Sequence, residues 1–168
     1  MALTQITVGN SQHFAKGGVK SLSLGTFDGT ASFTSATNHT VTYAPAADEV
    51  TIEFEKETAK MTSSTSQEKG LSMTTASIEG YIPQLGNTVF EALQEMKGLA
   101  LYGKVELWDG GSYIIGWDAV LGGSGTAGTD FALFLESIES DSGAALADQN
   151  GVTVKLTAVQ GEEPRKTA

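Results

Sequence analysis

The sequence predicts an α+β fold composed mainly of antiparallel strands, with one short helix. Apolar and polar residues alternate with a period of two in several short runs, the pattern of strands with one buried face. Clusters of Gly, Ser and Thr separate these runs, and one segment alone has helical spacing with helix-end signals. The chain has 168 residues, 40% of them hydrophobic, so we expect one domain over residues 1–168.

Residues 1–47 carry weak patterning and many turn residues. Apolar pairs are interrupted by Ser/Thr clusters and by turn signals such as Gly17-Gly18 and Asp28-Gly29. This composition favours either an N-terminal arm or extra short strands. The plainest strand in the region covers residues 39–43 and ends before Pro45.

The strongest strand signal lies in residues 48–83. Val50, Ile52 and Phe54 alternate with polar residues, which predicts a strand with one buried and one solvated face. A second alternating run begins at Leu71 and extends to about residue 82, with a change of phase near Thr75.

A polar tract, Lys60–Gly70, separates these two runs. It is too long for a tight turn, so it predicts a long hairpin loop. Two interpretations stay open for this loop: a floppy surface connection, or a segment that becomes ordered against a neighbouring subunit.

The spacing predicts a helix over residues 88–97. Thr88 and Glu91 form a capping box, and Val89, Leu93 and Met96 share one face of the helix. The glycine at position 98 is a typical helix stop, and the apolar stripe is expected to pack on a sheet.

The second half of the chain is predicted to be β-rich. Residues 100–108 and 112–118 form a hairpin about the turn Asp109-Gly110-Gly111. Residues 131–138 fit both helical and strand spacing, and the flanking turn residues favour a strand. The last strand covers residues 152–159, and residues 162–168 are expected to fray.

Composition excludes several classes of function. The net charge is -10 at pH 7, with 20 acidic against 10 basic residues, which disfavours sequence-specific binding of nucleic acid. The chain has no cysteine, so thiolate catalysis, disulfides and cysteine-ligated metals are excluded. No targeting signal and no membrane-spanning run are found, so we expect a soluble, non-secreted protein with no membrane association.

Few residues suggest site chemistry. Gly123-Ser124-Gly125-Thr126-Ala127-Gly128 matches a dinucleotide-binding pattern, but one clear strand remains after it, too few for a nucleotide-binding unit. Glu53, Glu55 and Glu57 alternate and are expected on one face of one strand, as a solvated acidic surface. His13 and His39 lack metal-ligand or nucleophile spacing. The sequence therefore predicts no catalytic residues, no metal site and no cofactor, and the protein is not expected to be an enzyme.

The order of elements resembles the major tail tube proteins of long-tailed bacteriophages. A strand pair split by a long polar hairpin loop, one short helix, a β-rich second half and a closing strand before Gly161-Glu162-Glu163-Pro164 carry this resemblance from about Asp48 onward. It implies a β-sandwich or barrel-like fold with a flanking helix and the long hairpin loop. It also implies hexameric rings that stack into a hollow tube, whose inner sheets join into a continuous channel for DNA.

The resemblance also implies site residues and partners. The acidic lumen would carry Glu53, Glu55 and Glu57. The loop between adjacent rings would be made of Lys60, Met61, Ser64, Gln67, Glu68 and Lys69. The expected partners are other copies of the chain together with tape-measure, tail terminator and distal tail proteins, while DNA transits without specific binding. The protein would be found in the phage tail of the virion, and in the host cytoplasm before assembly.

Two other functions stay open from the sequence. An acidic, cysteine-free, β-rich chain with an N-terminal arm would also suit a capsid decoration or accessory virion protein. A carbohydrate-binding β-sandwich would use Trp108, Trp117 and Tyr113 as a stacking platform. Self-assembly into filaments separates the tube from both alternatives.

Overall fold

The computed structural model describes residues 17–27, 31–36, 38–83, 86–118, 131–144, 148 and 150–168. In this part of the chain the strands are β1 (Val19–Thr26), β2 (Ser32–Ala36), β3 (Thr40–Ala44), β4 (Val50–Glu53), β5 (Lys60–Glu68), β6 (Leu71–Pro83), β7 (Leu101–Leu107), β8 (Ser112–Ile115), β9 (Phe134–Asp141), β10 (Gly151–Gln160) and β11 (Arg165–Thr167). The helix is α1 (Asn87–Glu95). The predicted fold class, α+β and mainly antiparallel β, is confirmed.

The strands form two sheets. One has seven strands in the order β2-β3-β11-β8-β7-β1-β4, and the other has four in the order β5-β6-β10-β9. Neighbours are antiparallel, except that β11 runs parallel to β3. The four-stranded sheet is antiparallel throughout.

The main core lies between the two sheets. Leu22 and Val105 come from the seven-stranded sheet, while Ile78, Val154 and Leu156 come from the four-stranded sheet. All five are 1% exposed or less. Because alternate side chains of each strand point into this layer, the shared core joins both sheets into one unit.

An aromatic cluster fills the opposite face of the seven-stranded sheet. Tyr102 lies between Leu101 and Gly103 on β7, so its side chain points away from the main core. Phe33 packs against it edge-to-face at 5.1 Å between ring centroids and stacks on Trp117 at 5.4 Å. The hairpin of β2 and β3 supplies Phe33 and Tyr43 to this second core, whereas β1 supplies Val19, Leu22 and Leu24 to the main core. The described part of residues 1–47 therefore forms strands.

The predicted helix is confirmed, but its capping box is wrong. Gly86 is the N-cap residue and no side chain caps the helix, because α1 begins at Asn87 and Thr88 therefore lies inside the first turn. The helix ends after Glu95, and Gly98 follows with a φ of 74°. Leu93 and Met96 pack into the main core, as the apolar stripe predicts.

The predicted long loop over residues 60–70 is wrong. Residues 60–68 form β5, paired with β6 over its whole length, and a tight turn at Lys69 and Gly70 joins the two strands. Both turn residues have positive φ, 51° and 82°, as the most twist-compatible hairpin turn requires. Cross-strand hydroxyl pairs stabilise the ladder: Thr62 with Ser77 and Thr65 with Thr74, both at 2.8 Å.

The expected fraying of residues 162–168 is also wrong. Residues 165–167 form β11, which lies between β3 and β8 within the seven-stranded sheet. The Arg165 guanidinium donates to both carboxylate oxygens of Glu162, at 2.7 and 3.0 Å, in a largely buried pair. A bidentate ion pair together with strand pairing holds this end of the chain in place.

Other strand predictions are confirmed with small changes. The hairpin about residues 109–111 is formed by β7 and β8, residues 131–138 contribute the start of β9, and β10 is the predicted last long strand. The change of phase near Thr75 is absent, since β6 pairs with β10 without a register shift. Val50 is 49% exposed, because β4 is an edge strand of four residues with little to cover it.

Candidate assembly surface

The outer face of the four-stranded sheet is its side away from the main core. Ile78 and Val154 point into the main core, so the residues that alternate with them along β6 and β10 point outward. The pairing of β5 with β6 and of β9 with β10 extends this face to all four strands. Its serine and threonine side chains are Thr62, Ser64, Ser66, Thr75, Ser77, Ser137, Thr153 and Thr157. Its charged side chains are Lys60, Glu68, Glu79, Glu136, Glu139, Asp141 and Lys155. Carboxylates therefore outnumber ammonium groups five to two, which makes the face polar and net acidic.

Ion pairs organise the middle of the outer face. Lys155 Nζ donates to Glu136 Oε1 at 2.8 Å, and Thr157 donates to the other oxygen of the same carboxylate. These hydrogen bonds lower the pKa of Glu136 and, from the lysine's side, raise the pKa of Lys155. A β-bulge places Glu136 there, because β9 shifts register between its contacts with Lys155 and Leu156. Both groups stay charged at neutral pH.

One end of the outer face is apolar. Leu71, Phe134 and Val159 are 65%, 43% and 45% exposed, and all three point outward. They are half of the strongly exposed large hydrophobic residues among those that the structure describes. Phe134 and Val159 lie on neighbouring strands, whereas Leu71 lies on the part of β6 that extends past β10.

Two free strand edges flank this face. β5 and β9 are the outer strands of the four-stranded sheet, and no described strand pairs with their far sides. β5 presents nine residues and β9 presents eight. Natural monomers usually protect edges of this length from pairing with other strands.

The hairpin of β5 and β6 projects beyond the sheet. β10 ends at Gln160, opposite Thr74, so residues 66–73 continue past it as a two-stranded extension. Side chains from residue 62 to residue 71 are exposed on both faces. Glu163 accepts hydrogen bonds from Ser63 and Thr65, which lower its pKa and attach the hairpin to the C-terminal segment.

The structure separates the residues assigned to the ring-to-ring loop. Gln67, Glu68 and Lys69 lie at the projecting tip, and Ser64 lies on the outer face. Lys60 lies at the other end of β5, where its Nζ is 3.7 Å from Glu79. Met61 is partly buried against the main core, so it is not available for contacts with another ring.

Glu53, Glu55 and Glu57 do not share one strand face. β4 ends at Glu53, and Glu55 lies beyond the strand, where its backbone N–H donates to Tyr81 O at 3.0 Å. Glu57 sits in a turn with a φ of 68°. The alternation ends because the chain turns away from the edge of the seven-stranded sheet, so the three carboxylates diverge instead of forming one surface.

An apolar groove lies between β4 and α1. Val50, Ile52, Val89, Ala92 and Met96 are among the residues that line a cavity of about 310 Å³. An adjoining cavity of about 210 Å³ shares Val50, Ala92 and Met96 and reaches Leu99. The groove has an acidic rim of Glu53, Asp48 and Glu95, and no lysine or arginine is among the described residues that line it.

The remaining candidates do not form a chemical site. Trp117 is buried in the aromatic cluster, so it cannot form an exposed platform with Trp108 and Tyr113. His39 is exposed, with Nδ1 3.9 Å from a Glu162 oxygen. His13 and residues 123–128 lie outside the described residues. Within the described ranges, no group of three potential metal ligands is found, and no helix is long and apolar enough to span a membrane.

Sequence reasoning missed Glu79, Glu136, Glu139 and Asp141 as members of one surface. They come from two strands that are not adjacent in the sheet, and β10 between them brings them onto one face. The one signal in the sequence was along β10, where Thr153, Lys155 and Thr157 alternate with valine and leucine. This alternation indicates that β10 has a polar face, but it does not show which strands lie beside β10.

No protein-family model matches the sequence, and no curated protein or solved structure is significantly similar to it.

Proposed function

We propose that the protein is a structural subunit that assembles into stacked rings, forming the tail tube of a long-tailed bacteriophage. In this arrangement the four-stranded sheet of each copy lines the bore and its outer face becomes the lumen. The protein has no catalytic role in the proposal. Its partners are other copies of itself and the proteins that start, measure and end the tube.

The observation that carries the proposal is the pairing geometry of the four-stranded sheet. Its strands alternate in direction and are four in number, so the edge strands β5 and β9 run in opposite directions. When copies are related by rotation, β9 of one copy meets β5 of the next in antiparallel orientation. The pattern continues without a break, and a closed ring leaves no free edge on this sheet.

The dimensions support a conduit for DNA. Six copies contribute about 24 strands, which at about 4.8 Å spacing give a circumference of about 115 Å. Side chains reach inward by about 5 Å, half the usual distance between packed sheets, which leaves a bore of about 26 Å before strand tilt widens it. A B-form duplex is narrower than this bore, so it would pass through.

The chemistry of the outer face also suits a conduit. Carboxylates repel the phosphates of DNA, and hydroxyl groups keep the surface of the lumen hydrated without binding the duplex tightly. With five carboxylates and two ammonium groups in each copy, the lumen is acidic. The carboxylates of this proposed lumen are those of the outer face, whereas Glu53, Glu55 and Glu57 lie elsewhere.

Amide hydrogen exchange tests the proposed ring. In the monomer, every second amide of β5 and β9 faces away from the sheet, so about half of the amides in each edge strand should exchange rapidly. Assembly should protect these amides at least tenfold. The matched control is β2, an edge strand of the seven-stranded sheet, whose exchange should not change. Filaments that form with no added protection in β5 and β9 would contradict the proposal.

A further inference from the structure

The free edge of β4 faces the groove between β4 and α1. β4 is the last strand of the seven-stranded sheet, and no described strand pairs with its far side. All four of its residues, 50–53, line the cavity of about 310 Å³. Side chains alternate between the two faces of a strand, so a cavity that contacts four consecutive residues runs along the backbone edge. The groove therefore exposes unpaired backbone of β4 together with apolar side chains.

One face of α1 forms the opposite wall of the groove. The lining residues of the helix lie on adjacent turns and are Thr88, Val89, Ala92, Leu93 and Met96. This face is about 12 Å long, since each helical residue rises about 1.5 Å. Four residues of an extended strand span about 13 Å. An extended segment of four residues thus matches the length of the groove.

The backbone of β4 offers hydrogen-bonding groups to such a segment. β4 pairs with β1 through residues 50–53. In an antiparallel pair, alternate residues direct their backbone N–H and C=O groups toward the partner strand. Two of the four residues of β4 therefore direct these groups toward the groove, where an added strand would bind them.

The apolar floor selects the side chains of the added strand. Val50 and Leu99 are 49% and 42% exposed, and both line the cavity that adjoins the groove. Alternate side chains of an added strand would point toward Val89 and Ala92 on the helix. A cavity of 310 Å³ corresponds to about ten water molecules, so aliphatic side chains at these positions would displace water from apolar surface.

Carboxylates lie at both ends of the groove. Glu53 lines it at the end of β4, whereas Asp48 and Glu95 line the adjoining cavity near the start of the strand. No lysine or arginine is among the described residues that line either cavity. This rim favours a segment with basic residues on both sides of its apolar positions. It disfavours pairing of β4 with β4 of a second copy, because the two acidic rims would repel each other.

We infer that the β4–α1 groove binds an extended segment of a partner protein by strand addition. The segment has aliphatic residues at alternate positions and a lysine or arginine at each end. Main-chain hydrogen bonds to β4 supply affinity, while the apolar floor and the acidic rim supply specificity. This site belongs to the seven-stranded sheet, so it is independent of the β5–β9 contact that closes the proposed ring.

Peptide binding tests the site directly. The probe is a labelled, capped peptide of alternating valine and threonine with a lysine at each end, and its matched control has a glutamate at each end. Fluorescence anisotropy should show at least tenfold weaker binding of the control, and added salt should weaken binding of the lysine peptide. Equal binding of the two peptides, or no binding of the lysine peptide at about 1 mM, would overturn the inference.

Two substitutions on α1 locate the binding site. Ala92→Tyr fills the groove and should weaken binding of the lysine peptide at least tenfold. Gln94→Tyr is the matched control, because it adds the same side chain at an exposed position of the helix that does not line the groove. Equal binding by these two variants would overturn the inference.

A charge variant keeps the shape of the groove. Glu53→Gln together with Glu95→Gln should bring the affinities of the lysine and glutamate peptides closer, since the rim loses two carboxylates. An unchanged preference for the lysine peptide would show that the rim does not select the charge.

Amide exchange separates strand addition from a simple apolar contact. Bound peptide should protect two alternate amides among residues 50–53, while the other two, already paired with β1, should not change. Binding without added protection in β4 would overturn strand addition. Protection of β4 that rises with protein concentration in the absence of peptide would identify a second copy as the occupant, and would also overturn the inference.

Discussion

Single residues at the aromatic cluster couple the fold to pH. The Tyr102 hydroxyl donates to Glu49 Oε2 at 2.6 Å and accepts the Ala46 backbone N–H at 2.8 Å. Burial is the main cause that raises the pKa of Tyr102 well above its usual value, and Glu49 adds to it. Burial, with Glu49 beside it, also raises the pKa of Tyr43 to about 12. Both phenols therefore stay protonated in the folded state at pH values where they ionise in the unfolded chain.

This difference predicts how stability responds to alkali. A folded pKa above the unfolded value of 10 means that the folded state binds more protons between pH 10 and about 12. Below pH 10, these two groups should not change the free energy of unfolding as the pH varies. Above pH 10, the free energy of unfolding should fall as the pH rises. Urea titrations at a series of pH values, with absorbance titration of the phenols, measure both effects.

Two variants assign the alkaline effect. Tyr102→Phe should cost about 1–3 kcal/mol at neutral pH, because it leaves the buried Ala46 N–H without its acceptor, and it should flatten the alkaline slope. Tyr43→Phe should cost less, since its hydroxyl makes only a 3.5 Å contact with Glu49. Phenol titration centred near pH 10 for both tyrosines would contradict this assignment.

Among the elements, the β5–β6 hairpin shows where sequence reasoning succeeds and where it stops. Period two identified β10 and the β7–β8 hairpin, and helical spacing identified the helix, because each has one clear buried face. β5 has almost none: eight of its nine residues are exposed, so no apolar alternation marks it. This strand is stabilised by pairing with β6 and by hydroxyl contacts such as that of Thr65 with Thr74. Both involve residues of β6, so the sequence of β5 alone does not predict them.

The same limit explains the errors at the candidate surface. The glutamates at 53, 55 and 57 alternate in sequence, but the chain leaves β4 after the first of them. The C-terminal residues 165–167 have little apolar character, and they are ordered by pairing with β3 and β8. Long-range pairing, which a local pattern does not contain, decided both cases.

The hairpin turn predicts a local change in stability. Gly70 has a φ of 82°, so Gly70→Ala should loosen the tip by about 1 kcal/mol. Lys69→Asn is the matched variant, because asparagine tolerates the positive φ of 51° better than lysine, and it should tighten the tip slightly. Amide exchange of residues 66–73 reports both effects. A Gly70→Ala protein with unchanged exchange there would show that the turn does not hold the hairpin.

For the whole molecule, the charge of the outer face predicts how the assembled protein treats DNA. Unmodified tubes should not retain duplex DNA at about 50 mM salt, because the lumen repels phosphates. Replacing Glu79, Glu136 and Glu139 together by lysine reverses the sign of the face, so these tubes should retain duplex in a manner that higher salt abolishes. Co-sedimentation of labelled duplex with tubes measures this.

The control for charge reversal carries the same number of substitutions. This control replaces Glu53, Glu55 and Glu57 together by lysine. It changes the net charge by the same amount, but at residues away from the outer face. This variant should bind less duplex than the outer-face variant. Equal retention by the two variants would indicate that the outer face of the four-stranded sheet does not line the bore.

In the proposed tube, β5 and β9 of neighbouring copies pair to close a ring around a lumen lined by the four-stranded sheet. Electron cryo-microscopy of the purified protein over a concentration series would show this pairing. We expect six-membered rings or hollow filaments, with a continuous antiparallel sheet of about 24 strands around a bore of about 26 Å or more. Solid filaments, or rings whose bore is lined by the seven-stranded sheet, would contradict it.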